Sequence, residues 1–147
     1  MTCIMTTFNI ALLTKMQAQN HAYHLLQQLN PSMLEEEFHS HLTHMWDIGN
    51  YHIAGIWNKD ILIGLSGFWL GCKFYCGPYL EVDNLIIDQQ YRNQHLGKLL
   101  MDWLTEYAKK QQCHSIILSS YVTNYPSHKF YYREGFSILG YHFSKKL

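Results

Sequence analysis

A chain of 147 residues with 48% hydrophobic side chains is long enough for one compact domain and apolar enough to fill its core, which excludes a disordered or low-complexity protein. Its 11 basic and 11 acidic residues cancel, and only two of the basic ones, Arg92 and Arg133, are arginine. That balance argues against a nucleic-acid-binding surface, which normally carries a basic excess.

The four cysteines, Cys3, Cys72, Cys76 and Cys113, form no Cys-x-x-Cys pair and complete no zinc site. Free thiols in a reducing cytosol are the simplest account of them. The run Met1 to Leu13 has no cation ahead of its apolar residues, unlike a signal peptide, and no apolar run has bilayer length. The expectation is a soluble, cytoplasmic protein with neither a membrane nor a nucleic-acid partner.

In chain order, Ile4 to Phe8 reads as a first strand. Helical apolar spacing then runs from Ile10 to Leu29 through Leu12, Leu13, Met16, Ala22, Leu25 and Leu26. Asn30-Pro31-Ser32 breaks it. Ser32 with Glu35 predicts a capping box for a second helix, which continues to Trp46 and ends at Gly49. Tyr51–Trp57 and Ile61–Leu70 read as strands joined by a tight turn at Asn58-Lys59-Asp60. Gly71 to Pro78 is a loop, and Tyr79–Ile87 alternates as a third strand of the group. A polar connector, Asp88 to Gly97, enters a helix with Leu99, Leu100, Trp103, Leu104, Tyr107 and Ala108 on its apolar face. Ser115–Tyr121 reads as a strand, Ser127–Arg133 as a short helix stopped by Gly135, and Ile138–Phe143 as a last strand. The predicted order is β-α-α-β-β-β-α-β-α-β. This is an α/β (α+β) fold, with a mixed, mostly antiparallel sheet flanked by helices, in a single domain over residues 1–147.

The most informative stretch is Leu85-Ile86-Ile87-Asp88-Gln89-Gln90-Tyr91-Arg92-Asn93-Gln94-His95-Leu96-Gly97-Lys98. A buried strand ends, and a polar turn leads into an amphipathic helix. The unpaired N–H groups of such a helix start, together with its dipole, make an anion site. Gly97 would let a ligand approach the backbone, and Lys98 would add a cation. No glycine lies five residues upstream and Leu99 follows Lys98, so this is not a phosphate-binding P-loop; nor is there a Gly-x-Gly-x-x-Gly fingerprint.

This stretch resembles the signature of the GNAT superfamily of N-acetyltransferases, Arg/Gln-x-x-Gly-x-Gly/Ala after an apolar strand. Arg92 and Gly97 match it, and His95 stands where the first glycine is usual. Further along, Asn124-Tyr125-Pro126-Ser127-His128-Lys129-Phe130-Tyr131 resembles the family's Asn-x-x-Ala-x-x-Phe-Tyr. Tyr132 to Phe136 is similar to its Tyr-x-x-x-Gly-Phe ending. The ending around Tyr141-His142-Phe143 is similar to that of a small bacterial branch of the family.

The resemblance implies the GNAT fold and an acetyl-CoA-dependent N-acetyltransferase. The acyl acceptor would be a primary amine of a small molecule or peptide, reached by direct transfer in a ternary complex. It implies that the main chain of Leu85, Ile86 and Ile87 pairs with the pantetheine arm. Arg92, Asn93, Gln94, His95, Leu96, Gly97 and Lys98 would hold the pyrophosphate, and Asn124 and Ser127 would lie near the pantetheine. It makes Tyr131 the acid that protonates the departing sulfur, with Tyr132 pointing elsewhere.

For the base, Glu81 and Asp83 alternate on one strand and so share a face. Either could act, directly or through a water. The alternative for both is a solvated sheet face, and for Tyr131 a buried aromatic beside Phe130 and Phe136. His95 motivates a second reading, a non-catalytic module that binds or senses acyl-CoA, because a side chain at a left-handed position would cost energy. A toxin acting on charged tRNA is disfavoured by the scarcity of arginine. His41 and His44 share a helix face, but the sequence places no third ligand, so no metal is expected. Trp69, Tyr79, Tyr121 and Tyr125 are candidates for lining the acceptor pocket, with core packing as the alternative. Oligomeric state stays open, a homodimer included.

Overall fold

The computed structural model describes residues 8–147, so most of the strand expected at Ile4 to Phe8 lies outside the described residues. In chain order the elements are β1 (Asn9–Leu12), α1 (Lys15–His21), α2 (Tyr23–Leu29), α3 (Glu35–Ile48), β2 (Tyr51–Asn58), β3 (Ile61–Lys73), β4 (Gly77–Ile87), a 3-10 turn (Gln89–Tyr91), α4 (Leu96–Lys110), β5 (Ser115–Leu118) and α5 (Tyr125–Arg133). The fold class is the expected one. No helix among the described residues is long and apolar enough to cross a membrane. The chain forms two compact units, one up to Ile117 and one from Leu118 to Leu147.

In the first unit the strands lie in the order β1-β2-β3-β4-β5, and β1 to β4 pair antiparallel. The β2–β3 hairpin closes on Lys59 and Asp60, with Asn58 opposite Ile61 and Lys59 at φ 55°. β5 begins beside the start of β4, where His114 N donates to Pro78 O at 2.7 Å. Because it pairs with β4 from that point, it runs in the same direction, as a crossover through α4 requires.

Both sheet faces are covered. α4 packs on β2, β3 and β4, burying Leu96, Leu100, Met101, Leu104 and Ala108. On the other face, Ala18, Ala22, Leu25, Phe38 and Leu42 of the N-terminal helices meet Leu13, Tyr51, Ile53, Leu62, Leu65 and Ile86. These two apolar layers hold β4 rigidly between its neighbours.

The N-terminal region differs from the expected single helix over Ile10–Leu29. Asn9–Leu12 is a strand paired with Ala54–Trp57, and Leu13 N donates to Ile53 O at 2.8 Å. The apolar residues at its start therefore serve the sheet rather than a helical stripe. The helix begins only after Thr14, whose side chain and Gln17 form a reciprocal capping box. It then breaks at Ala22 into α1 and α2. The capping box expected at Ser32 and Glu35 does not form. Ser32 Oγ donates instead to Asn30 Oδ1 at 2.9 Å, and Leu34 caps α3 without a side-chain bond. Gly49 ends α3 as expected, at φ 101°.

In the second unit, α5 starts after Asn124 and ends near Gly135, at φ 89°. The last strand expected at Ile138–Phe143 does not form; residues 136–147 are irregular. Ile138, Leu139, Tyr141 and Phe143 are exposed. Alternating apolar residues become a strand only when a neighbour supplies the ladder, and the tail has none.

Candidate active site

β4 carries both candidate carboxylates, and it is irregular between them. Gly67 of β3 stands opposite Asn84, and Phe68 opposite Val82, so Asp83 is an extra residue without a partner. Such a bulge bends the strand and re-aims the side chains around it. The buried Ser66 hydroxyl ties this point down by donating to Asn84 O at 2.8 Å.

Glu81 remains in the ladder, opposite Trp69, which in turn stands opposite Tyr51. Partners across a ladder share a face, so Glu81, Trp69 and Tyr51 lie together on the side of the N-terminal helices. The Tyr51 and Trp69 rings are 4.9 Å apart, and Trp46 of α3 meets Tyr51 edge-on at 6.3 Å. Tyr51 is 5% exposed. Burial first, and the Asp83 charge second, push its phenol well above the ordinary range. Gly67 is required here, because a Cβ would collide with the Tyr51 hydroxyl. Toward the hairpin end, Lys73 Nζ sits 4.7 Å over the Tyr79 ring.

Within the turn after β4, short-range bonds set the local shape. Asp88 accepts from Gln90 N at 2.9 Å and caps the 3-10 turn. Arg92 Nε donates back to Ile87 O at 3.1 Å, folding the side chain against the end of β4. Asn93 and His95 are both left-handed, at φ 62° and 59°. His95 is the N-cap of α4 and supplies no side-chain bond to it. The first-turn amides of α4 therefore lack the usual capping partner and face outward from the helix start. Lys98 Nζ is engaged by Asp102, at 2.9 and 3.0 Å. β5 has four residues against eleven in β4, and it starts at the Pro78 end. It therefore covers only the first part of that edge of β4, away from Leu85, Ile86 and Ile87.

The second unit holds the remaining candidates. Asn124 is the N-cap residue of α5 at φ −86°, without a side-chain cap bond, and its carbonyl accepts from His128 N at 3.1 Å. Ser127 is half-buried in the first turn. Tyr131 is half-buried between the rings of Phe130 and Phe136, at 5.5 and 5.8 Å, and burial raises its phenol pKa. Tyr132 beside it is exposed. Tyr121 and Tyr125 are exposed as well.

With this geometry in view, known proteins can be compared. The sequence profile of the Acetyltransferase (GNAT) family matches residues 16–136. The chain belongs to the GNAT acetyltransferase family. It is an acetyltransferase on that ground. It is 25% identical over 125 residues to glucosamine 6-phosphate N-acetyltransferase of Arabidopsis thaliana, covering 80% of this chain and 84% of the relative. It is 23% identical over 134 residues to an uncharacterised N-acetyltransferase, YhdJ, of Bacillus subtilis (strain 168), covering 90% and 94%. Among solved structures, an aminoglycoside N-acetyltransferase, AAC(6')-Iy, in complex with CoA superposes with a TM-score of 0.86 at 13% identity, over 100% of this chain and 99% of that one. The crystal structure of the Arabidopsis thaliana glucosamine-6-phosphate enzyme gives 0.73 at 24% identity, over 95% and 98%. At these identities the likeness to solved structures establishes the fold.

Within this GNAT fold the structure adds residues to the site that the sequence did not single out. Tyr51 needed the β2–β3–β4 register to appear beside the carboxylates. The bulge at Asp83 has no local signal, since Glu81-Val82-Asp83 alternates like any regular strand. Gln28 reaches the turn after β4 from α2. Among the described residues no group of three or more His, Cys, Asp or Glu side chains could hold a metal ion. His21 packs edge-on against Trp57, and His39 lies beside Glu35.

Proposed function

We propose that this protein moves the acetyl group of acetyl-CoA directly to a primary amine of a small molecule or peptide. In this reading the whole chain works as one catalytic domain in the cytoplasm. The observation that carries the reading is the end of β4: a bulged strand bearing two carboxylates passes at once into a left-handed turn that opens α4. A carboxylate strand and an anion-binding helix start, in immediate succession, suit a substrate that has a reactive thioester at one end and a pyrophosphate at the other.

The first-turn amides of α4, with Arg92, Asn93, Gln94 and Gly97 around them, would bind the pyrophosphate. His95 keeps its amide N–H, so its side chain need not abolish the cradle. The free β4 edge at Leu85–Ile87 would take the pantetheine amides as a strand takes a neighbour. Asn124 and Ser127 would flank that arm. The amine nitrogen attacks the thioester carbonyl, a β4 amide stabilises the oxyanion, and the C–N bond forms as the C–S bond breaks. Glu81 or Asp83 takes the ammonium proton, directly or through a water, and Tyr131 donates its proton to the CoA thiolate. A phenol whose pKa is raised by burial stays protonated at neutral pH, as that role requires.

The relatives' names mention amine acceptors, glucosamine 6-phosphate and aminoglycosides. These support a small-molecule amine here. The test is to measure melting with and without acetyl-CoA, and acetyl loss across a panel of amino sugars, polyamines and peptides. We expect acetyl-CoA to raise the melting temperature and at least one amine to be acetylated. Tyr131→Phe should lower turnover about tenfold or more while leaving acetyl-CoA binding intact. Binding with no transfer to any amine would replace this reading with that of an acyl-CoA sensor, the role His95 would then mark.

A further inference from the structure

The turn after β4 is held from outside its own sequence neighbourhood. Gln28, half-buried on α2, makes two bonds across the unit. Its Oε1 accepts from Gln89 N at 3.1 Å, and its Nε2 donates to Asp88 Oδ2 at 3.4 Å. His24, one turn earlier on α2, brings Nε2 to 3.9 Å from the same carboxylate oxygen. Asp88 in turn uses Oδ1 to fix Gln90 N and its own carbonyl to fix Tyr91 N at 2.8 Å. Its amide donates to Ile63 O at 2.8 Å, which anchors the turn to β3. A single amide side chain thus satisfies both a backbone donor and a carboxylate at the entry to the Arg92–Gly97 turn.

We infer that Gln28 is a positioning residue for the pyrophosphate turn, acting through Asp88 and Gln89 rather than on the substrate. This rests on the reading of Arg92–Gly97 as the cofactor site. The geometry favours such a role over simple packing. Both polar ends of the side chain are used, on the adjacent residues Asp88 and Gln89, a few positions ahead of the left-handed Asn93 and His95. A turn with residues at positive φ has easily reached alternatives, so a clamp at its entry selects the conformation that aims the α4 amides. α2 also packs on β3 and β4, so Gln28 links the helical cover of the sheet to the anion site.

The experiment measures affinity for acetyl-CoA and for S-acetylpantetheine, the same thioester without the pyrophosphate, in four variants of the full chain. Gln28→Ala and Gln28→Met remove the clamp, the second while keeping its length. Gln27→Ala is the helix control, because Gln27 points to its own helix, donating to the Tyr23 hydroxyl. Gly97→Val tests the turn itself. We expect both Gln28 variants to weaken acetyl-CoA about fivefold and to leave S-acetylpantetheine unchanged, with Gln27→Ala neutral toward both. The KM for acetyl-CoA should rise while kcat at saturation holds. Equal weakening of both ligands would mean a merely structural role and overturn the inference. So would unchanged acetyl-CoA affinity in the Gln28 variants when Gly97→Val weakens it. If Gly97→Val itself has no effect, the turn is not the pyrophosphate site, and the inference falls with that reading.

Discussion

The turn after β4 and the carboxylate strand lie next to each other in sequence but are built differently. The turn takes its local shape from short-range features, with Asp88 capping its neighbours, Arg92 folding back to Ile87, and left-handed Asn93 and His95 before α4, and is held from a distance only at its entry, by Gln28 and Ile63. The carboxylate face depends on distant partners. Tyr51 and Trp69 come from two other strands, Trp46 from α3, and the Asp83 bulge exists only relative to β3. Away from the Gln28 clamp, the turn should therefore tolerate changes in the core that would misplace the carboxylates, and the strand should tolerate changes at the helix start.

The largest expected effect separates the two carboxylates. Glu81 is half-buried in the ladder, whereas Asp83 is the exposed bulge residue. Glu81→Gln should lower kcat about 100-fold, some 2.7 kcal/mol in the barrier, with acetyl-CoA affinity unchanged. Asp83→Asn should cost less. Steady-state kinetics on both variants decides it, and the reverse ranking would make Asp83 the base. Loss of acetyl-CoA binding in either variant would break the proposed independence of strand and turn.

A second effect concerns pH and belongs to the strand side alone. The Tyr51 phenol is raised above its ordinary value of about 10 by burial and by Asp83. Its contribution to stability is therefore complete below pH of about 10 and lost as pH rises through the folded value. Melting temperature should fall on the alkaline side, and Tyr51→Phe should flatten that fall. An identical alkaline profile in the variant would show that Tyr51 is not the group responsible.

The smallest effect belongs to the turn. His95 sits at φ 59°, a region that costs most side chains roughly 1–2 kcal/mol, though histidine tolerates it better than most. His95→Gly relieves this but adds unfolded-state entropy, so a net gain of about 0.5–1 kcal/mol is expected, seen as a modest rise in melting temperature. Glu81-dependent turnover should be unaffected. A lower melting temperature would mean that the imidazole makes a stabilising contribution that outweighs the strain.

Much of the fold was legible because its signals are local. The β2–β3 hairpin, the α4 stripe and the Gly49 stop follow from periodicity and from residues suited to positive φ. The polar connector from β4 into α4 was legible as a turn as well, from its composition. Other features were not legible, for physical reasons. Leu12 and Leu13 fit a helical stripe equally well, and only pairing with β2 assigns Leu12 to a strand. Ser32 had the residue type of a cap, but its hydroxyl found Asn30 instead. The alternating tail at Ile138–Phe143 looked like a strand, but alternation is only a capacity for pairing.

By itself, then, the sequence determined the order of most elements, the polar turn into the α4 start and the residue types available for acid–base chemistry. These depend on neighbours a few positions apart. Tertiary structure alone decided that Asp83 leaves the ladder, that Tyr51 joins the carboxylate face, and that Gln28 holds the turn from another helix. Each depends on register between strands or on a bond spanning some sixty residues, such as that of Gln28 to Asp88. Local pattern carries no record of either, because register and helix docking are settled by the packing of both sheet faces at once.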